Sequence, residues 1–197
     1  MEHCLTALGR PASDAVIDEL TAAMAVAAEH PDAIAADALA DLSEEHHAEA
    51  KRVLCSLAGI DDELGARINA SYGDLSTYTP YPEVPSVIDA LAAAGVAIVI
   101  VSDFHVDLRP HFEAIAVLDK ISGFALSCEV GSNKPGAAMF ERALSHIDAP
   151  PERCLMVGDN PHPDCGAAAL GITTLILPVV WENRPHLLER VTRLVLS

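Results

Sequence analysis

Ser102 with Asp103, Lys134, and Asp159 with Asp164 are the residues whose types and spacing could do chemistry in this chain. Ser102 and Asp103 close the apolar run Ala97-Ile98-Val99-Ile100-Val101. Lys134 stands before Pro135. Asp159 follows Leu155-Met156-Val157-Gly158, and Asp164 lies one loop further on. A serine hydroxyl and the backbone amides after it can hydrogen-bond an anion. A lysine beginning a helix opposes the helix dipole unless its ammonium meets a phosphate or a carboxylate. Two carboxylates a loop apart suit a hard, oxygen-seeking cation such as Mg2+. Each residue also has a plainer use, as a turn cap, a solvated lysine or a helix-capping aspartate. Taken together they describe a site for a phosphoryl group and a metal.

These residues need elements that bring them to one place, and the pattern supplies them. From Pro85 onward the chain alternates between helix and strand. A helix over Pro85–Ala94 is stopped by Gly95, and a strand follows at 97–101. A helix is predicted near Leu108–Val117, a short strand near Phe124–Leu126, and a helix over Gly136–Ile147 opened by Lys134-Pro135. A strand at 154–157, a short helix near Cys165–Leu170, a strand at Thr173–Leu177 and a last helix after Pro185 complete the series. Near-continuous apolar strands alternating with helices imply a parallel sheet covered on both faces. Such a sheet binds ligands at the carboxyl ends of its strands, where Ser102, Asp103, Asp159 and Asp164 fall.

Before Tyr78 the pattern is helical. Ser13 and Asp14 can cap a helix running to about His30 and broken by Pro31. Ser43, with Glu44 and Glu45 in the first turn, starts a second. Its apolar face is Ala50, Val53, Leu54 and Leu57, and Gly59 ends it. A third covers about Asp61–Tyr72. The proline-rich stretch Tyr78-Thr79-Pro80-Tyr81-Pro82 reads as a stiff linker. The expected organisation is therefore a helical unit over 1–78 and an α/β unit over 79–197.

A chain of 197 residues that is 51% hydrophobic can bury a core, and it has no apolar run of membrane-spanning length. The formal net charge of −17 argues against nucleic-acid and acidic-membrane partners, since both are anionic. A small anionic substrate stays possible where local positive charge or a metal receives it. The five cysteines are odd in number and form no CxxC pair, and the first residues lack a basic and an apolar signal region. Reduced thiols and a cytoplasmic location are expected. Adjacent His46 and His47 are expected on a solvated helix face. His105, His111 and His162 are read as loop residues, Cys128, Cys154 and Cys165 as core fillers, and Trp181 as an anchor for the last helix.

The order of motifs resembles the haloacid dehalogenase superfamily of hydrolases. A strand ending in Ser102, the Lys134-Pro135 pair, and a strand ending in Gly158-Asp159 followed by Asp164 resemble its second, third and fourth motifs. The stretch Ser127-Cys128-Glu129-Val130-Gly131-Ser132-Asn133-Lys134-Pro135, with Phe140, resembles the subfamily carrying a helical cap after the first motif. The resemblance covers about residues 80–178 and implies a Rossmann-like α/β core, with residues 1–78 as most of the cap. It implies that Ser102 binds phosphoryl oxygens with the amides around Asp103. It implies that Lys134 neutralises charge on the nucleophile and the phosphoryl group, and that Asp159 ligates Mg2+ with Asp164 in support.

The family's first motif, an apolar strand ending in Asp-x-Asp that supplies the nucleophile and the general acid–base, has no counterpart in this chain. Its strand is central in the family's sheet. A seam is therefore expected between the strands ending at Ser102 and Asp159, either closed directly, filled by another strand, or left as an edge that invites homo-oligomers. Three readings follow. The chain is an N-terminally shortened Mg2+-dependent phosphatase of a small phosphorylated metabolite, a non-catalytic phosphate- or metal-binding protein on the same fold, or a self-associating module.

Overall fold

A computed structural model of the chain describes residues 1–177 and 187–197. The expected anchoring by Trp181 and the start of the last helix at Pro185 lie outside these residues. The chain divides into two compact units, Met1–Tyr78 and Thr79–Ser197.

The first unit is helical: α1 (Glu2–Ala7), α2 (Asp14–Ala27), α3 (Pro31–Asp37), α4 (Glu44–Leu57) and α5 (Asp62–Gly73). Helix α1 has no side-chain cap and little length of its own. It persists because Cys4 and Leu5 enter a core with Cys55, Ile60, Leu64 and Ile68. Pro31 does more than break α2. It opens α3, where a missing N–H costs nothing, while His30 Nδ1 accepts the Asp32 N–H at 3.2 Å. Ser43 caps α4 by accepting the His46 N–H at 3.1 Å. Asp61 caps α5 and is gripped by Arg10 at 2.5 and 3.0 Å. His46 lies at the exposed cap as expected. His47 differs: it is buried, its ring 5.6 Å from that of Tyr72.

The second unit alternates as its hydrophobic pattern requires: α6 (Val84–Ala93), β1 (Val99–Ser102), α7 (Arg109–Ala114), β2 (Gly123–Leu126), α8 (Ser127–Val130), α9 (Ala137–Leu144), β3 (Leu155–Gly158), α10 (Pro161–Asp164), β4 (Thr173–Ile176) and α11 (Glu189–Leu196). Strands β1 and β2 pair in parallel, with Ser102 opposite Leu126. Strands β3 and β4 do the same, with Gly158 opposite Ile176. Among the described residues no ladder joins the two pairs. The α/β class and the parallel pairing agree with expectation. Lys134 differs in detail: it sits in a turn ahead of α9, whose cap is Gly136, and its bond to Pro135 is cis. The cysteines also divide differently, with Cys4 and Cys55 buried, Cys128 and Cys154 half-buried and Cys165 exposed.

Two apolar clusters hold this unit. On one side Val87 and Leu91 of α6 and Val191 of α11 meet Leu177, Ile98, Leu155, Val157 and Leu175. On the other Phe140 of α9, Ala167 and Ile172 meet Val101 and Met156. The alternation along β1 and β3 sends neighbouring side chains to opposite covers. Phe140 is 1% exposed at the centre of the second cluster. Phe140→Ala is expected to lose about 3–5 kcal/mol of stability in urea unfolding of the second unit. A loss under about 1 kcal/mol would remove Phe140 from that role.

Candidate active site

The residues singled out by sequence converge at the carboxyl ends of β1 and β3. Ser102 is the last residue of β1 and Asp103 follows it. Asp103 Oδ1 accepts the Lys134 N–H at 2.9 Å, fastening the loop before α9 to the end of β1. Lys134 Nζ donates to Asp164 Oδ1 at 2.7 Å. The two side chains are 13% and 1% exposed, so the ion pair is largely removed from water. Asp164 Oδ2 accepts the N–H groups of Asp159 and Asn160, each at 3.0 Å. One carboxylate thus shapes the turn after β3 and holds the lysine.

Gly158 makes this possible. A Cβ built on Gly158 would overlap the Asp164 carboxylate, so any larger residue would push that group from beneath the strand end. Gly166 is similarly confined, its Cβ position lying 2.7 Å from Pro135 Cβ and from Pro135 O. The segment carrying Lys134 therefore presses directly on the segment after β3.

Asp159 and Ser102 stand differently. The Asp159 side chain is exposed and, among the described residues, no partner holds its carboxylate; the same is true of the Ser102 hydroxyl. A free carboxylate beside a buried, satisfied one is a donor set that fits a hard cation. The exposed group can ligate, and the buried one orients the backbone that carries it.

Asp103 is part-buried. Burial pushes its carboxyl above the ordinary carboxylate range, with Asp164 adding to the rise and the Lys134 N–H and charge opposing it.

Sequence reasoning missed Ser127. It is fully buried, its Oγ accepting the Phe104 N–H at 2.8 Å and facing Phe104 O at 3.3 Å. It pins the loop after β1 to the end of β2. The available signal was its position, directly after an apolar strand, which is the same placement that singled out Ser102. Arg109 was missed too. It pairs with Glu129 at 2.5 Å and Asp107 at 2.9 Å, and lies 4.9 Å from the Phe124 ring centre, bracing the same loop. Neither His111 nor His162 makes a hydrogen bond to Ser102, Asp103, Lys134, Asp159 or Asp164 in this arrangement.

A parallel α/β core with serine, lysine and paired aspartates at its strand ends is the arrangement of the class that the sequence motifs resemble. The haloacid dehalogenase-like hydrolase family matches residues 4–171, and the chain belongs to that family. It is 30% identical over 136 residues to a phosphoserine phosphatase of Thermus thermophilus, covering 68% of this chain and 53% of that protein. The chain thus spans about half the length of this curated relative. Solved structures share the fold. A HAD phosphatase from Thermococcus onnurineus superimposes with a TM-score of 0.51 at 19% identity, over 68% of this chain and 61% of its own. A predicted phosphoglycolate phosphatase from Haemophilus somnus does so with a TM-score of 0.55 at 17% identity, over 80% and 76%.

Two outcomes test this geometry. Asp164→Ala leaves a buried ammonium and two N–H groups without their acceptor, and is expected to cost about 3–5 kcal/mol in denaturant unfolding. A near-neutral result would mean the pair carries no structural weight. Asp103 titrates above its unfolded value, so its contribution to stability is complete below the unfolded pKa. That contribution is lost as pH rises through the folded one. Asp103→Asn, keeping an acceptor for the Lys134 N–H, is expected to flatten this part of the stability–pH curve above about pH 4. Identical curves for the two proteins would contradict it.

Proposed function

We propose that this chain carries the phosphoryl- and metal-binding machinery of a Mg2+-dependent phosphatase acting on a small phosphorylated metabolite. The observation that supports it most is the chain of contacts from Asp103 through Lys134 to Asp164 and the Asp159 backbone, at the joint carboxyl ends of β1 and β3. Ser102 Oγ and the amide of Asp103 bind the phosphoryl oxygens. Lys134, held in place by Asp164, puts its remaining N–H donors and its charge against the same group. Asp159 holds the metal, with Asp164 supporting it from behind. The metal, when bound, neutralises phosphoryl charge. The helical unit over residues 1–78 corresponds to the cap that the motif resemblance implies. The phosphoserine and phosphoglycolate named for its relatives make small phosphomonoesters the substrate class to try first. A cytoplasmic location fits the unpaired cysteines. Among the described residues no helix is long and apolar enough to cross a membrane.

A second reading is favoured by one fact of the sequence: it contains no Asp-x-Asp, so the nucleophile and acid–base of the family's first motif are not among its residues. In that reading the chain binds phosphate and Mg2+ and hydrolyses nothing.

Phosphate release from phosphoserine with Mg2+, measured beside calorimetry of Mg2+ and inorganic phosphate, separates the two. Turnover favours the phosphatase, binding without turnover favours the second reading, and neither binding nor turnover overturns both. Where phosphate binds, Lys134→Met is expected to weaken it by about 10- to 100-fold, the worth of a charge-assisted hydrogen bond, and Ser102→Ala by about fivefold. Unchanged affinity in both variants would displace the site from these strand ends.

A further inference from the structure

We propose that Ser127 is a positioning residue of the phosphoryl site, acting through Phe104 and Asp103 on Lys134. This role rests on Ser102, Asp103 and Lys134 being the groups that receive the phosphoryl ligand.

The register of β1 and β2 puts Ser127 in place. Strand β1 ends at Ser102, which lies opposite Leu126. Ser127 is the residue after Leu126, and its Oγ accepts the Phe104 N–H at 2.8 Å and donates to Phe104 O at 3.3 Å. A hydroxyl can donate and accept at once. One side chain therefore holds Phe104 at both its N–H and its carbonyl. Asp103 is the single residue between the end of the ladder and this clamp. A residue fixed on both sides has little freedom in its two soft dihedrals, so the directions of its N–H and its side chain are set with them.

What Asp103 meets gives the clamp its reach. Asp103 Oδ1 accepts the Lys134 N–H at 2.9 Å, and Lys134 Nζ donates to Asp164 Oδ1 at 2.7 Å. The direction of the Asp103 side chain thus governs where the Lys134 backbone rests against the end of β1. Ser127 is 0% exposed, so water does not stand in for its hydroxyl without rearrangement. Ser127→Ala leaves the Phe104 N–H facing a methyl group, and a buried donor that loses its acceptor is costly. Phe104 is only half-buried, and the loop recovers a partner by shifting it toward solvent. That shift carries Asp103 with it and loosens its hold on Lys134.

The clamp also selects among donors. With the Phe104 N–H engaged by Ser127, an anion at the end of β1 is met by the Ser102 hydroxyl and the Asp103 amide rather than by Phe104.

The test compares the full chain with its Ser127→Ala and Ser127→Cys variants. The thiol keeps a donor and an acceptor, both weaker than those of a hydroxyl. Calorimetry follows inorganic phosphate in the presence of Mg2+, and amide hydrogen exchange is followed at Phe104, at Lys134 and along β4. Ser127→Ala is expected to weaken phosphate binding about tenfold and to speed exchange at Lys134 about tenfold, with β4 unchanged. Ser127→Cys is expected to fall between, and it carries the same comparison where Ser127→Ala does not fold. A clamp that only closes its own loop would speed exchange at Phe104 alone. Phosphate affinity equal to that of the unaltered chain, or unchanged exchange at Lys134, therefore overturns the proposal. Equal acceleration along β4 would show general loosening and overturn it as well. Absence of phosphate binding by the unaltered chain overturns the assignment of the site and the positioning role with it, whereas binding that persists undiminished in both variants overturns the positioning role alone.

Discussion

The buried pair between Lys134 and Asp164 is the interaction on which the second unit's carboxyl ends depend. Among the described residues no other ion pair ties the loop ahead of α9 to the turn after β3. Removing both groups from water is costly, and the arrangement holds because both oxygens of Asp164 are satisfied. Asp164 meets the ammonium on one oxygen and two backbone N–H groups on the other, and the Lys134 backbone is itself held by Asp103. The consequence is a rigid frame in which Asp159 is positioned by its backbone while its side chain stays free.

That frame has an electrostatic consequence. Of the carboxyl groups of Asp103, Asp159 and Asp164, that of Asp164 alone pairs with the Lys134 ammonium among the described residues, in a chain whose formal net charge is −17. An anion brought to these strand ends meets unfavourable charge unless a cation arrives with it. Charge balance at these strand ends therefore favours a cation and an anion arriving together over an anion alone. Family membership agrees with this chemistry without specifying a substrate, since relatives of one fold differ in what they hydrolyse.

The two-pair sheet is the other defining feature. Helices pack on both faces of β1 and β3, but among the described residues no ladder joins the two strand pairs. Apolar packing is non-directional, so one helix can rest on side chains from both strand pairs. Main-chain ladders cannot do this, since each bond needs a partner at a fixed spacing. The layer is thus held by its covers more than by its own hydrogen bonds.

Much of this was legible in the residues. Short, near-continuous apolar runs alternating with helical segments gave the strands and helices of the second unit, and the order Ser102, Lys134, Asp159, Asp164 marked the strand ends that meet. Local chemistry suffices there, because a strand's apolar run and the polar residue that ends it are neighbours in sequence. Other features depended on contacts between distant segments. Helix α1 exists through Cys4 and Leu5 packing against α5, which no local signal announces. Pro31 starts a helix because His30 can cap it. Ser127 became a clamp on Phe104 only when β1 and β2 aligned, and Gly158 proved necessary only once Asp164 folded beneath it. Residue types and spacing by themselves determined which polar groups stand at the strand ends. Tertiary structure alone decided which oxygen of Asp164 holds the lysine, which carboxylate is left free, and which strands pair. Those outcomes rest on distances between segments far apart in the chain, which spacing along the sequence does not encode.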